Sequence, residues 1–550
     1  MSAPGTLRVR WLGRVPYREA LALQTALFQH GALDHLLLLE HPHVFTHGPR
    51  ADLATNLLVD PAAVDAELVS VKRGGDVTYH GPGQLVGYPV VNVANSLGAG
   101  DHVCAIQRLV VGTLQDLGVP DVGCLDEYPG VWVGVSSPNP RKICAIGVRL
   151  ANGRTMHGFA LNVRTDMRYM REHIVPCGIG HKPVTSLLEE GIDVTLAQVA
   201  DIVARRAAQI WGDGSIERQD VAWKHTPADL APFSRGEGPG ATGRALARLE
   251  AAGVAEGLSI SERKPEWLRP KVQLGADVLA MKRTVREHGL VTVCEEAGCP
   301  NLSECWAAGT ATFMVLGERC TRACGFCLVD TQKPMPPDAD EPGRVAAAVA
   351  RTGLHHAVLT MVARDDLDDG GFAHVAACVH AIRTACAGTT VETLVSDAKG
   401  DDVSLQLLFD AGPDVFNHNI ETVARLQRAV RPSAGYARSM SVLARAKAAG
   451  LRVKSGFMVG LGETVDEVDG LLADLASIGV DIVTIGQYLR PTSHHLPVAR
   501  WAEPAEFERW ARLGESLGIG HVEASPLTRS SYHAKEAADA VAVTVAVTAR

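Results

Sequence analysis

Three observations predict two α/β domains joined by a linker: a length of 550 residues, a composition break near the middle, and a change in apolar rhythm across it. That length exceeds one ordinary hydrophobic core. Apolar residues make up 46% and charged residues 21%, the proportions of a globular chain. The break lies at 226–257, where residues 232–243 read P-F-S-R-G-E-G-P-G-A-T-G. Pro and Gly at that density oppose helix and strand alike, although the Ala/Arg/Glu/Leu residues closing the segment suit a short helix. The domains are therefore set at 1–225 and 258–550, with the core of the second at about 307–525.

In the first domain, strand-like runs at Leu36–Leu39, Leu85–Val93, Val131–Val135, Ile143–Leu150 and Phe159–Val163 outnumber helical stretches such as Val103–Leu117 and Val194–Trp211. This predicts an α+β sheet flanked by helices. The second domain alternates. Its strands are expected at Thr312–Leu316, Ala357–Met361, Val391–Val395, Asp414–Asn417, Val453–Val459 and Ile482–Ile485, most of them separated by helical stretches. Six βα steps predict parallel strands curling into an incomplete barrel, with its site at the strand C-terminal ends. The tail Ala537–Arg550 is rich in Ala, Val and Thr and suggests no function.

Charge narrows the function classes. The net charge of −9 is spread evenly, with 21 basic against 24 acidic residues in 1–240 and 32 against 38 beyond. Neither half has the basic excess of a nucleic-acid binder. The first residues carry no basic and apolar leader, and no apolar run nears the ~20 residues of a membrane span. The twelve cysteines therefore read as reduced thiols, ligands or nucleophiles, and the chain is expected in the cytoplasm.

Six cysteines form two triplets: Cys294, Cys299 and Cys305, then Cys320, Cys324 and Cys327. Structural zinc sites are closed by four ligands. An iron–sulfur cubane held by three thiolates keeps one iron open, and the second triplet directly follows the first barrel strand. Before the linker, the densest motif is Arg73-Gly74-Gly75-Asp76-Val77-Thr78-Tyr79-His80, whose glycines let backbone approach a ligand. Cys177, between Pro176 and Gly178, sits on a predicted exposed turn, whereas Cys144 lies in an apolar run that suits a buried, inert thiol. From these residues alone, Cys177 is either a nucleophile or a packed turn cysteine. His80 and His157 either orient an acyl group or pack.

The second half resembles lipoyl synthase, a radical S-adenosylmethionine (SAM) enzyme, from about Leu258 to Ala534. The resemblance rests on both triplets, Gly309–Gly317, Arg364–Gly371, Asn417–Thr422, Lys454–Thr464, Thr484–Leu489 and Arg529-Ser530-Ser531-Tyr532-His533-Ala534. It implies a partial (βα)6 TIM-type barrel of the radical SAM class with two 4Fe–4S clusters. Cys320, Cys324 and Cys327 hold the cluster that binds SAM, and reductive cleavage of SAM gives the radical that abstracts hydrogens at carbons six and eight of an octanoyl chain. Cys294, Cys299, Cys305 and Ser531 hold an auxiliary cluster that donates sulfur. A hard oxygen ligand suits a cluster that must come apart. Asp368, Asp369, Asn417, Asn419 and Glu421 are the expected SAM contacts. Departures from the family pattern stand at Leu328, Ala363, Ser396-Asp397-Ala398 and Ala524-Ser525-Pro526.

The first half is similar to lipoyl(octanoyl) transferase over about residues 8–215, within the biotin/lipoate protein ligase superfamily. The similarity implies an acyl-Cys177 thioester, with Lys142 favouring the thiolate and shuttling protons. Substrate contacts fall on Arg73–His80 (with Gly74, Gly75, Asp76, Val77, Thr78 and Tyr79), on Ala145, Ile146 and Gly147, and on Gly158, Phe159 and Ala160. Thr46-His47-Gly48-Pro49 departs from the family pattern at the pocket rim. Together the resemblances imply a bifunctional lipoate-biosynthesis protein. Its partners are octanoyl-acyl carrier protein, the lipoyl domains of 2-oxoacid dehydrogenase E2 subunits and the glycine cleavage H protein, and an electron donor. The alternatives are an ATP-dependent lipoate or biotin ligase in the first half, against which Cys177 argues, and a non-catalytic metal or iron–sulfur module in the second.

Overall fold

The computed structural model describes residues 5–93, 98–176, 182–221, 246–254, 257–258, 262–269, 276–292, 299 and 301–548. Cys177, Cys294 and most of the expected linker (226–245) lie outside the described residues. The chain divides into two compact units, Met1–Val221 and Ala222–Arg550.

The first unit contains β1 (Leu7–Arg14), β2 (His35–Glu40), β3 (Val44–His47), β4 (Glu67–Ser70), β5 (Thr78–His80), β6 (Gln84–Val90), β7 (Val122–Leu125), β8 (Tyr128–Val133), β9 (Arg141–Ala151), β10 (Arg154–Asn162) and β11 (Ile216–Asp220). Eight of them form one sheet in the order β11-β1-β2-β6-β10-β9-β8-β7, and β4-β3-β5 form a second. Leu36 and Leu38 point into the main core while all of β2 is buried, as befits a central strand. Helices Ala99–Asp116 and Leu196–Trp211 cover that face with Ile106, Leu109, Val110, Val199, Val203 and Ala207. The second helix starts at a capping box between Thr195 and Gln198. Strands β1 and β11 carry no apolar run that sequence reading could register. They pair in parallel, and Glu217 on β11 receives Arg8 at 2.7 Å and the buried Arg10 at 2.6 Å. The charges are satisfied within the strand pair itself.

The second unit contains β12 (Val291–Thr292), β13 (Thr310–Val315), β14 (His356–Met361), β15 (Thr390–Leu394), β16 (Val415–Asn417), β17 (Val453–Val459), β18 (Ile482–Gln487) and β19 (His521–Ala524). They lie side by side in chain order. β13 through β19 are mutually parallel, and β12 joins one edge antiparallel. All six expected strands are present, and β19 is a seventh. Edges β12 and β19 do not pair with each other among the described residues, which makes this an open barrel. Helices such as Glu341–Thr352, Phe372–Ala385, Tyr436–Ala448 and Val465–Ser477 lie between successive strands.

Two segments without an assigned role pack onto this unit. Residues 246–251 are helical, Leu249 and Ala252 are buried, the Arg425 guanidinium donates to the Ala252 carbonyl, and the Leu258 N–H donates to Val498 at 2.6 Å. The end of the expected linker is thus part of the barrel unit. The tail forms the helix Ala534–Thr548, with Ala537 and Val541 packed on Ile482. No helix among the described residues is long and apolar enough to cross a membrane.

Candidate functional sites

In the first unit, eleven of the fourteen expected substrate-contact residues line one cavity: Arg73, Gly74, Gly75, Thr78, His80, Ala145–Gly147 and Gly158–Ala160. Strand pairing explains how separate motifs meet. β9 and β10 run antiparallel with Gly147 opposite Gly158, Ile146 opposite Phe159 and Ala145 opposite Ala160. Gly158 must lack a side chain, because a Cβ there would lie 2.2 Å from the Gly87 carbonyl oxygen. The Gly74 N–H donates to Val148 at 3.3 Å, which lays the 73–75 loop along β9. Asp76, Val77 and Tyr79 do not line the cavity. Asp76 accepts from Asn56 Nδ2 at 2.8 Å, while Val77 and Tyr79 fill a small core with Phe45 and Met170. Tyr17, Tyr88 and His157 complete the lining. The two tyrosines carry no local sequence signal, since only folding brings them to the motif.

The cavity's imidazoles are neutral. Burial, reinforced by neighbouring His41, lowers the pKa of His80 to about 3, and burial lowers that of His157 to about 4. The Gln84 amide nitrogen donates to Tyr79 O and Asn162 Oδ1, so its Oε1 faces His80 Nδ1 at 2.9 Å. Nδ1 therefore carries the proton and Nε2 the lone pair. His157 adopts φ +62°, a strained conformation for a side-chain-bearing residue, and its buried Nδ1 has no protein partner. The Arg73 guanidinium donates to Thr46 O at 2.7 Å and to its Oγ1 at 2.9 Å. The departure at Thr46-His47-Gly48-Pro49 therefore begins at a residue that grips the cavity's arginine.

Lys142, near the start of β9, is buried, with Nζ 5.6 Å from the centroid of the Trp132 ring. Its main chain pairs with Pro183 and Thr185, which follow Cys177 in the sequence. Lys142 N donates to Pro183 O and Thr185 N to Lys142 O, both at 2.9 Å. The preceding flank is tied as well, since Val175 N donates to Asn56 O at 2.9 Å. Cys144 is fully buried, and burial pushes its thiol up to about 12.

In the second unit, Cys320, Cys324 and Cys327 follow β13. Two backbone N–H groups, of Arg322 and Ala363, point at Cys320 Sγ at 3.4 and 3.3 Å. Burial raises the thiol of Cys324 to about 12 and that of Cys327 to about 11, and both also feel Cys320 and Glu421. The loop is held by Cys320 N to Asp330 O, Gly325 N to Val430 O and Leu496 N to Gly325 O. His495 Nε2 donates to Cys327 O at 2.9 Å. Arg322, inside the triplet, forms a two-pronged pair with Asp365 and reaches the fully buried Asp397 at 2.6 Å. That cation holds the Asp397 carboxyl at about 2 against the opposing effect of burial. Two departures are thereby accounted for. At Ala363 the contact is made by main chain, and Ser396-Asp397-Ala398 retains the buried carboxylate. Leu328 is half exposed.

Of the expected SAM contacts, Asp369 accepts from Gly371 N at 2.9 Å and Ala373 N at 2.8 Å, which spends its carboxylate on capping helix Phe372–Ala385. Asp368 is exposed. Asn417, Asn419 and Glu421 lie at and just beyond the end of β16. Asn417 Nδ2 donates to Glu392 at 2.7 Å, and the buried Oδ1 atoms of Asn417 and Asn419 have no protein partner. A Cβ on Gly456 would fall 2.4 Å from Thr484 Oγ1 and 2.8 Å from Asn419 Oδ1, so the backbone leaves room there.

The first triplet meets the C-terminal motif across more than two hundred residues of chain. Asn301 Nδ2 donates to Leu527 O at 2.7 Å, and Tyr532 Oη donates to Glu304 at 3.1 Å. Arg529 acts electrostatically on Cys299, and Cys305 on Tyr532. Ser531 Oγ accepts from Thr312 Oγ1 at 2.9 Å, and Ser530 Oγ accepts from Asn419 Nδ2 at 2.6 Å. Among the described residues, no three His, Cys, Asp or Glu side chains converge as ligands of a single ion. Cubane thiolates each bind a different iron, so convergence is not required. Three half-buried thiols on one loop, with two N–H groups aimed at the sulfur of Cys320, fit such a group, since coordination deprotonates thiols outright.

Comparison with known proteins agrees with this division. Residues 16–208 match the model of the lipoyl protein ligase A/B catalytic domain, and residues 314–475 that of the radical SAM superfamily. The lipoyl synthase of Rubrobacter xylanophilus is 54% identical over 275 residues, spanning 50% of this chain and 86% of that protein. That of Mycobacterium tuberculosis is 50% identical over 294 residues, spanning 54% and 94%. Among solved structures, the bipartite lipoate protein ligase of Thermoplasma acidophilum aligns at 19% identity with TM-score 0.34, covering 40% of this chain and 88% of that one. Methylornithine synthase aligns at 16% with TM-score 0.32, covering 38% and 62%.

Proposed function

The chain belongs to the lipoyl synthase family through its second half, and from that premise we propose that it performs two consecutive steps of lipoyl assembly. The first half moves an octanoyl group from acyl carrier protein to a lipoyl-domain lysine. The second half inserts sulfur at carbons six and eight of that chain.

In the first half, Lys142 takes the Cys177 proton, and the thiolate attacks the octanoyl thioester. The new Cys177 thioester forms as the carrier thiol leaves with a proton from Lys142. The acceptor amine then attacks the acyl-Cys177 carbonyl, the amide forms, and the sulfur departs as thiolate while Lys142 removes the amine's proton. Neutral His80 and His157 add no charge beside an apolar chain, and Arg73, the cation of the lining, is held by Thr46. In the second half, the bound SAM cluster supplies the hydrogen-abstracting radical and the auxiliary cluster the sulfur. The chain's own part is to hold the two triplets and Ser531, orient the cofactor through Asn417, Asn419 and Glu421, and exclude water.

The observation that supports this reading most is the meeting of Arg529–His533 with Asn301–Cys305, because a radical SAM enzyme without an auxiliary cluster needs neither segment. The test is an anaerobic assay of the reconstituted whole chain with octanoyl-acyl carrier protein, SAM, a reductant and a lipoyl domain. Mass spectrometry is expected to find octanoylated and then lipoylated domain, with a thioester on Cys177. Modification that requires ATP and free acid overturns the first step, and bound zinc without iron and sulfide overturns the second.

A further inference from the structure

We propose that Thr312 is a positioning residue for Ser531, and that Thr312 and Asn419 together clamp the Ser530-Ser531 pair at the barrel. The inference rests on the reading of Ser531 as a cluster ligand. Thr312 lies in the middle of β13, wholly buried in the sheet, and its β-branched side chain has little rotamer freedom. Its Oγ1 stands 2.9 Å from Ser531 Oγ. An iron-bound serine oxygen has already lost its proton, so Thr312 must be the donor in that bond. Such a hydrogen bond to an anionic oxygen is stronger than one between neutral groups.

A second grip comes from another strand end. Asn419, just after β16, donates from Nδ2 to Ser530 Oγ at 2.6 Å. Its own carbonyl is fixed by Arg431 Nη1 at 2.8 Å. Adjacent serines on a loop are therefore held by two separate strands of the barrel, one grip reaching the ligand and the other its neighbour. Groups that orient a ligand in this way are typically worth ten- to a hundredfold in metal affinity.

The test compares full-length wild type with T312V, T312S and S530A after anaerobic reconstitution. Iron release to a chelator is followed together with Mössbauer spectra of isotopically enriched iron. T312V is expected to lose auxiliary-cluster iron on the order of tenfold faster and to lose the spectral component of oxygen-ligated iron, with the SAM-cluster component and melting temperature unchanged. T312S restores both signals, and S530A gives a smaller acceleration. If T312V does not fold, T312A removes the same donor and carries the same expectation. Wild-type release and spectra in T312V or T312A overturn the proposal, as does a T312S as impaired as they are. A wild-type chain that assembles a cluster only at Cys320–Cys327 overturns the parent reading instead, and is told apart by its missing auxiliary component.

Discussion

The two units build their sites around sulfur in opposite ways. In the first, the cavity is lined by the antiparallel β9–β10 pair, the loop laid on it and residues such as Tyr17 and Tyr88, and both of its imidazoles are neutral. In the second, Cys320, Cys324 and Cys327 stand on a loop and Cys305 in the short helix Leu302–Ala307, with residues from β13, the end of β16 and the C-terminal segment beside them. Burial keeps Cys324 and Cys327 protonated near 12 and 11 unless a metal draws the protons off. A lysine suits one reactive thiol that must cycle between free and acylated. Permanent thiolate ligands call for coordination instead. The contrast also explains why the first site occupies a few strands while the second recruits half the barrel rim.

The sharpest way to break this comparison is Cys324→Ala, expected to lower SAM cleavage by at least ~10³-fold while octanoyl transfer, read by mass spectrometry of the lipoyl domain, is unchanged. Loss of both activities would mean that the units are not independent. The mirror experiment, Cys177→Ser, is expected to lower octanoyl transfer by roughly 10³-fold or more and to leave cleavage of SAM on a pre-octanoylated domain intact. A smaller loss is expected for Lys142→Gln, about 10²-fold at neutral pH, with part of the rate recovered in alkaline buffer as the thiol ionises without help. A flat pH profile would remove the lysine from proton transfer.

Separating the units at the linker is expected to slow lipoylated product formation about tenfold at micromolar protein, since short flexible linkers give effective concentrations of ~mM. Equal rates for the linked and mixed halves would show that tethering confers nothing. The smallest effect concerns acid stability. Burial holds His41, His102 and His157 at about 4 and His80 at about 3 in the first unit, against His418 at about 4 in the second. Unfolded histidine titrates near 6.5, so the unfolded chain binds more protons between about pH 4 and 6.5. Stability contributed by these neutral rings is complete above that window and falls as pH drops through it. Asp397 and Glu392, at about 2, lose their contribution only as pH falls below about 4. Hydrogen exchange between pH 7 and 5 is therefore expected to show first-unit amides losing protection sooner; equal loss in both units would contradict the assignment.

Local pattern made the barrel legible. Each of its six expected strands is an apolar run bounded by loop residues, and parallel strands buried on both faces write themselves that way. The β1–β11 pair escaped because its charges neutralise each other across the strands, and β19 because only Val522 of its four residues is buried, so no apolar run marks it. Asp369 shows that an acidic run also serves the fold, since its carboxylate accepts from Gly371 N and Ala373 N at the start of helix Phe372–Ala385. The continuous motif shows a similar split, since Val77 and Tyr79 turn inward to pack while Asp76 accepts from Asn56.

What the sequence determined by itself was the chemistry on offer: two incomplete cysteine triplets, a cysteine in a Pro–Gly turn, a glycine-rich loop and a joint between two rhythms. Those features are written in residue type and short spacing. The tertiary structure alone decided which of them meet. It set Arg529–His533 beside Asn301–Cys305, gave Ser531 a partner in Thr312, and put Tyr17 and Tyr88 into the cavity with Arg73. Such contacts depend on strand order and on close approach between residues far apart in the chain, and no local periodicity encodes either.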